Sequence, residues 1–160
     1  MPSLDELISE YENGAEADRC WIIEQLAELD DSRVLPFLLR VLADSTADPE
    51  TRIAVLEDLK LRVFLDETSR AEAAATVIRV LQAEEDDDVL RSYATMSLRN
   101  FIESPHVLEL LRALLLDPTE DEKLRFSALN AIEAHRERPD CRQVLEEAKR
   151  LPDVGPYVGT

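Results

Sequence analysis

The chain has 160 residues, 45% apolar and 33% charged, with only three glycines, and its 18 basic and 35 acidic side chains leave a net charge of −17. That length suits one compact domain or one short repeat array that buries most of its apolar side chains, and a composition this poor in glycine leans to helix. The charge repels phosphate backbones and anionic lipid surfaces, which excludes nucleic acid and membrane as partners, and no apolar run approaches the roughly 18 residues a spanning helix needs.

Taken in chain order, apolar residues at a period of 3.6 predict helices at 3–13, 16–29, 31–43, 49–64, 68–83, 87–102, 105–116, 120–135 and 139–150. No segment alternates with period two, and the connections are short enough for antiparallel helical hairpins. Prolines mark the boundaries. Asp48-Pro49 and Ser104-Pro105 each put a capping side chain before a proline suited to a first helical turn. Pro118, Pro139 and Pro152 fall where the period breaks, and Pro36 alone is expected inside a helix, near its start.

The phrase DPETRIAVLEDL at 48–59 returns as DDVLRSYATMSL at 87–98 and DEKLRFSALNAI at 121–132. Aligned on arginine, Arg19, Arg52, Arg91 and Arg125 are each followed three residues later by Ile22, Val55, Ala94 and Ala128, and seven later by Leu26, Leu59, Leu98 and Ile132. This predicts one buried stripe written four times. Asp48, Asp87 and Asp121 stand four residues before their arginines, placed to accept from first-turn amides and to offset the helix dipole. The first copy has Ala15 there. A second phrase, LLRVL at 38–42, VIRVL at 77–81 and LLRAL at 110–114, interleaves with the first. The unit is an A helix, a short acidic turn and a B helix, with the B-helix arginines 33, 39 and 34 residues apart. Such a unit cannot bury its apolar face alone, so copies stack.

LPFLLRVL at 35–42 followed by DPETRIAVLEDL resembles a HEAT repeat, and the short bacterial HEAT-like repeats of phycobilin lyases in particular. The resemblance implies an all-α, right-handed superhelix of the HEAT/armadillo-like kind with about four helical hairpins. Residues 1–150 form its single domain, clear over 31–135 with degenerate end units, and 151–160 form a flexible tail. HEAT-like deoxyhypusine hydroxylases rely on repeated His-Glu pairs, which are missing around His106 and His135; HEAT-like alkylpurine DNA glycosylases need a basic concave face, which this charge denies.

No catalytic, cofactor or metal residues are assigned. Nucleotide-binding, serine-hydrolase and zinc-protease signatures are absent, and Cys20 and Cys141, without ligand or disulfide spacing, are expected as reduced thiols in a cytoplasmic protein whose start, MPSLDELISEY, shows no signal core. The A-to-B turns should align Asp44, Asp48, Glu84, Glu85, Asp86, Asp117, Glu120 and Asp121 as an acidic edge. It reads as a solvated edge, a docking surface for a basic partner, or, at the run 84–88, a site for a hard cation such as Ca²⁺ that lacks the EF-hand pattern.

On each B helix the positions two, five, six and nine after the arginine are expected to face the concave side. They are Trp21, Glu24, Gln25 and Glu28; Ala54, Glu57, Asp58 and Leu61; Tyr93, Met96, Ser97 and Asn100; Ser127, Asn130, Ala131 and Ala134. Aromatics among carboxylates make Trp21, Glu24, Glu28, Glu57, Asp58, Tyr93 and Asn100 the candidate protein-binding residues. The expected function is non-enzymatic binding of a basic protein, as an adaptor or as an inhibitor such as an immunity protein against a toxin. The alternatives are an accessory lyase using Cys20, Cys141 or Tyr93, and a self-assembling structural subunit.

Overall fold

The computed structural model describes residues 1–83 and 87–159. Its helices are α1 (Leu4–Asn13), α2 (Arg19–Ala27, entered through a 3-10 turn at Glu16–Asp18), α3 (Val34–Ala43), α4 (Pro49–Leu61), α5 (Glu67–Gln82), α6 (Asp88–Ser97, continued as 3-10 over Leu98–Phe101), α7 (Pro105–Leu116), α8 (Glu122–Glu133) and α9 (Pro139–Ala148). Among the described residues there is no strand, and no helix is long and apolar enough to cross a membrane.

The helix starts are written in side chains. Ser3 and Glu6 close a capping box on α1, the Ser3 amide donating to Glu6 Oε2 at 2.8 Å and the Glu6 amide to Ser3 Oγ at 3.3 Å. Asp48 accepts from the Thr51 amide at 2.9 Å, Asp66 from Ser69 at 2.7 Å, Asp87 from Val89 at 2.6 Å, and Asp121 from Lys123 at 3.0 Å. Pro49, Pro105 and Pro139 occupy first helical turns, where a missing N–H costs nothing. Ser104 departs from expectation: it makes no side-chain cap, and the proline alone sets the start of α7. Pro36 lies in the first turn of α3.

The even-numbered helices stack α2 on α4 on α6 on α8, with the odd-numbered ones in a second layer. Between the layers, the predicted stripe is buried at all eight positions, from Ile22 and Leu26 to Ala128 and Ile132, against A-helix residues such as Leu38, Leu42, Leu81 and Leu111. The B-helix arginines reach back to the A helices. Arg52 Nε donates to the Leu42 carbonyl at 2.9 Å, Arg91 Nε to Leu81 at 3.0 Å and Arg125 Nε to Leu115 at 3.0 Å, each ten residues back at the end of the A helix. In the first repeat Arg19 Nε reaches Tyr11 at 3.4 Å. The guanidinium thus satisfies a carbonyl that the helix end leaves orphaned. It clamps the two helices of one repeat together.

Two further side chains link successive B helices at their other ends. Asn100 Nδ2 donates at 2.8 Å to the carbonyls of both Leu59 and Arg62. His135 Nε2 lies 2.6 Å from the Arg99 carbonyl, which only accepts, so this nitrogen carries the proton. In the outer layer α3 packs on α5 and α7 on α9, and between α5 and α7 opens a groove of about 870 Å³ lined by Thr76, Ile78, Arg79, His106 and Leu110.

Two expectations need correcting. The helix predicted over 49–64 ends at Leu61: Asn100 takes its last carbonyls, and Phe64 turns inward onto Phe101 with ring centroids 5.4 Å apart, leaving the intervening backbone extended. Residues 151–159 are docked instead of loose. Val154 is buried, Asp153 pairs with the Arg125 guanidinium, Tyr157 meets the Phe126 ring edge-on at 5.1 Å, and the Gly159 amide donates to Glu133 at 2.7 Å.

Candidate functional site

Because each repeat arginine points into the A layer, the side of the B helix opposite it is the open one. Along α2 the open residues are Trp21, Glu24 and Glu28, along α4 Glu50, Glu57 and Leu61, and along α6 Val89, with Tyr93 and Met96 half-buried. Of the candidates, Trp21 is 51% exposed, and Glu24, Glu28 and Glu57 also face solvent. Position six after the arginine was misplaced: Ser97 and Ala131 are buried, because a helix turning 100° per residue carries that position back toward its neighbour. Ser127, at position two, is also buried.

Asp58 and Asn100 fill structural roles. The Asp58 carboxylate is held by Arg62, whose Nε lies 2.6 Å away, and the Asn100 amide is spent on the two α4 carbonyls. On α8 Asn130 and Ala134 are exposed as expected, and the chain's own Tyr157 meets Phe126. The aromatic and acidic part of the open face belongs to α2, α4 and α6.

At the N-terminal ends of these three helices is a cavity of about 780 Å³. Cys20, Ile53, Val89 and Tyr93 make its apolar wall, and Glu16, Asp48, Glu50 and Asp87 rim it. Only Asp48 and Tyr93 of this set were singled out from sequence as site residues. Of the others, Cys20 and Ile53 stand one after the arginine, Glu50 and Val89 two before it, Glu16 three before and the cap Asp87 four before, and that they share one cavity is legible only once the arginine's direction is known.

The acidic edge runs beside this cavity. Asp44 accepts from the Thr46 amide at 2.9 Å and its hydroxyl at 2.6 Å, and Asp117 does the same with Thr119 at 2.8 and 2.7 Å. These bonds hold both carboxyls below the usual carboxylate range, the threonine hydroxyl acting most strongly. Glu120 accepts from the Asp121 amide at 2.9 Å and lies 4.0 Å from Arg91. The edge carboxylates thus brace their own turns while keeping their negative charge. Glu84, Glu85 and Asp86 lie outside the described residues, and with them the cation reading of that run.

Cys20, Asp48 and Glu50 bring one thiol and two carboxylates within 4.8 Å of one another. Asp48 already accepts from the Thr51 amide and hydroxyl, and burial pushes the Cys20 thiol upward, so the thiolate a soft metal wants is disfavoured. Burial likewise pushes Cys141 up to about 11. Neither thiol is poised as a nucleophile at neutral pH, which weighs against the lyase alternative.

Stacked A/B hairpins, a repeated aspartate cap and an arginine clamp recur through this molecule, and the sequence model for HEAT repeats matches residues 4–99. The chain belongs to the HEAT-repeat family. The match takes in α1 to α6, so it spans the open face and the cavity. No curated protein and no solved structure matches this HEAT-repeat chain. The family points to protein partners as a class; which partner must be argued from the surface.

Proposed function

We propose that this HEAT-repeat array is a non-enzymatic module that binds a basic protein through the open face of α2, α4 and α6 and the acidic edge beside it. The observation that carries the reading is the cavity: an apolar wall of Ile53, Val89 and Tyr93 rimmed by Glu16, Asp48, Glu50 and Asp87. A lysine or arginine side chain of the partner lays its apolar stem on that wall and delivers its cationic head to the rim. Trp21, Glu24, Glu28 and Glu57 continue the contact along the helices, the exposed indole supplying desolvated area. A net charge of −17 steers the encounter and raises the association rate. Two unpaired thiols suit a reducing cytoplasm.

The test is affinity capture from lysate of the source organism at low and high salt, with the Trp21→Ala/Glu57→Lys and Glu50→Lys variants in parallel. A basic protein retained by the wild type, and lost with salt and with both variants, supports the reading. Retention that neither salt nor the variants change refutes it. Stoichiometric loss of the captured protein's own activity marks an inhibitor of the immunity type, and undiminished activity marks an adaptor.

A further inference from the structure

The sulfur of Cys20 and a carboxylate oxygen from each of Asp48 and Glu50 lie within 4.8 Å of one another, beside the cavity at the N-terminal ends of α2, α4 and α6. The hydrogens around them follow by elimination. Both Asp48 oxygens accept from Thr51, Oδ1 from the amide at 2.9 Å and Oδ2 from the hydroxyl. That hydroxyl has one proton and gives it to Asp48, so across the 3.9 Å contact with Cys20 the thiol is the donor and its sulfur keeps its lone pairs. Among the described residues, no hydrogen bond or ion pair engages the carboxylates of Glu50 and Glu16. The arginines of these three repeats reach the other way, Nε of Arg19, Arg52 and Arg91 onto the carbonyls of Tyr11, Leu42 and Leu81.

We propose that the cavity takes a lysine of the basic partner in preference to an arginine, its ammonium seated on Cys20, Asp48 and Glu50; this rests on the reading of the open face given above. The three N–H bonds of an ammonium diverge at about 109°, so acceptors about 2.8 Å from its nitrogen stand about 4.6 Å apart. The cluster meets that spacing. The lysine stem lies along Ile53, Val89 and Tyr93. A guanidinium fits less well, because its planar fork wants two free oxygens side by side. Asp48 has both of its own on Thr51, and the third acceptor is a single sulfur.

The same acceptors separate an ammonium from a metal ion. A hard divalent cation takes about six or more oxygens and a soft one a thiolate. Here two carboxylates stand with a thiol that is itself a hydrogen donor. An ammonium needs no more than three acceptors and tolerates a neutral one among them. Acylation of the partner's lysine removes its charge and leaves a single N–H, so that modification breaks the contact. The array thus responds to the chemical state of one side chain as well as to the partner's net charge.

NMR titration of the isotope-labelled full chain with n-butylammonium, n-butylguanidinium and N-butylacetamide tests this. n-Butylammonium should shift the Ile53 and Val89 methyl and Tyr93 ring signals saturably, with a dissociation constant on the order of 10 mM. n-Butylguanidinium should bind about fivefold or more weakly, and N-butylacetamide should leave the signals unmoved. Glu50→Gln should weaken the ammonium about fivefold or more and erase the preference, while Glu109→Gln, an exposed charge change on α7, should do neither. Both replaced side chains are exposed, so melting temperature should match wild type. Equal or tighter binding of the guanidinium, or a preference that Glu50→Gln retains, overturns the lysine proposal and leaves the basic-partner reading to be judged by capture. No saturable shift with either cation overturns the proposal and also removes the observation that carries that reading. Saturation of the same signals by magnesium or zinc chloride at lower concentration than by n-butylammonium gives the cluster to a metal ion and overturns the proposal.

Discussion

Replacing Arg125 tests the idea that a single guanidinium closes each repeat. Its side chain is 5% exposed, and Nε donates to the carbonyl of Leu115, itself fully buried at the end of α7. A hydrogen bond from a charged donor contributes about 1.5–3 kcal/mol, and a buried carbonyl left without its partner costs about 1–3 kcal/mol, two descriptions that largely overlap. Removing Arg125 also removes the cost of burying its charge, while the pair with the half-exposed Asp153 adds at most about 1 kcal/mol. The net for Arg125→Ala is about 3 kcal/mol, or about 10 °C in melting temperature for a chain of this size. Arg125→Lys should lose nearly as much, because an ammonium lacks an Nε–H at the right place and stays charged in a site built for a fork. Urea unfolding, compared through midpoint and slope, measures both. A lysine variant within about 0.5 kcal/mol of wild type would falsify the clamp, since charge alone would then suffice. The effect should fall along the series to Arg91, whose side chain is 22% exposed, and to Arg19, whose bond stretches to 3.4 Å.

Asn100→Leu strands the Leu59 and Arg62 carbonyls and should cost about 2 kcal/mol in urea with little change in partner capture, separating its structural role from the open face. Deleting 151–160 uncovers Phe126 and empties the Val154 site, for a loss of about 2–3 kcal/mol read as a lower melting temperature. The pH profile has both signs. Asp44 and Asp117 have folded pKa values below their unfolded ones, so their contribution is full above the unfolded value of about 3.9 and is lost as pH falls through the folded one. Thr46→Val and Thr119→Val should therefore flatten the acid limb of a stability titration. Cys141 runs the other way: with its thiol raised to about 11 in the fold, stability drops as pH climbs from about 8.5 toward that value, and Cys141→Ala should blunt that alkaline loss.

The architecture was legible because it is repeated. Four arginines in one register located four B helices, and the residues three and seven beyond each were buried without exception. The surface was harder to read, because periodicity gives a helix's buried side more firmly than the bearing of what lies around it. Nothing in the sequence says that Arg125 aims at the carbonyl of Leu115, and an error of one position turned Ser97 and Ala131 outward on paper. Asn100 and Asp58 carry the polar character of binding residues but spend it on neighbours that only tertiary structure brings near. The end of α4 at Leu61 was hidden because VFL continues an apolar helical period until Phe64 finds Phe101.

The groove between α5 and α7 gives the array a preferred place to bend. The B helices on either side, α4, α6 and α8, are in close succession and tied by Asn100 and His135, while the outer helices opposite flank the open groove. A slab bonded along one face and slit on the other flexes at the slit: opening or closing the wedge changes the curvature of the inner face with little strain in any repeat.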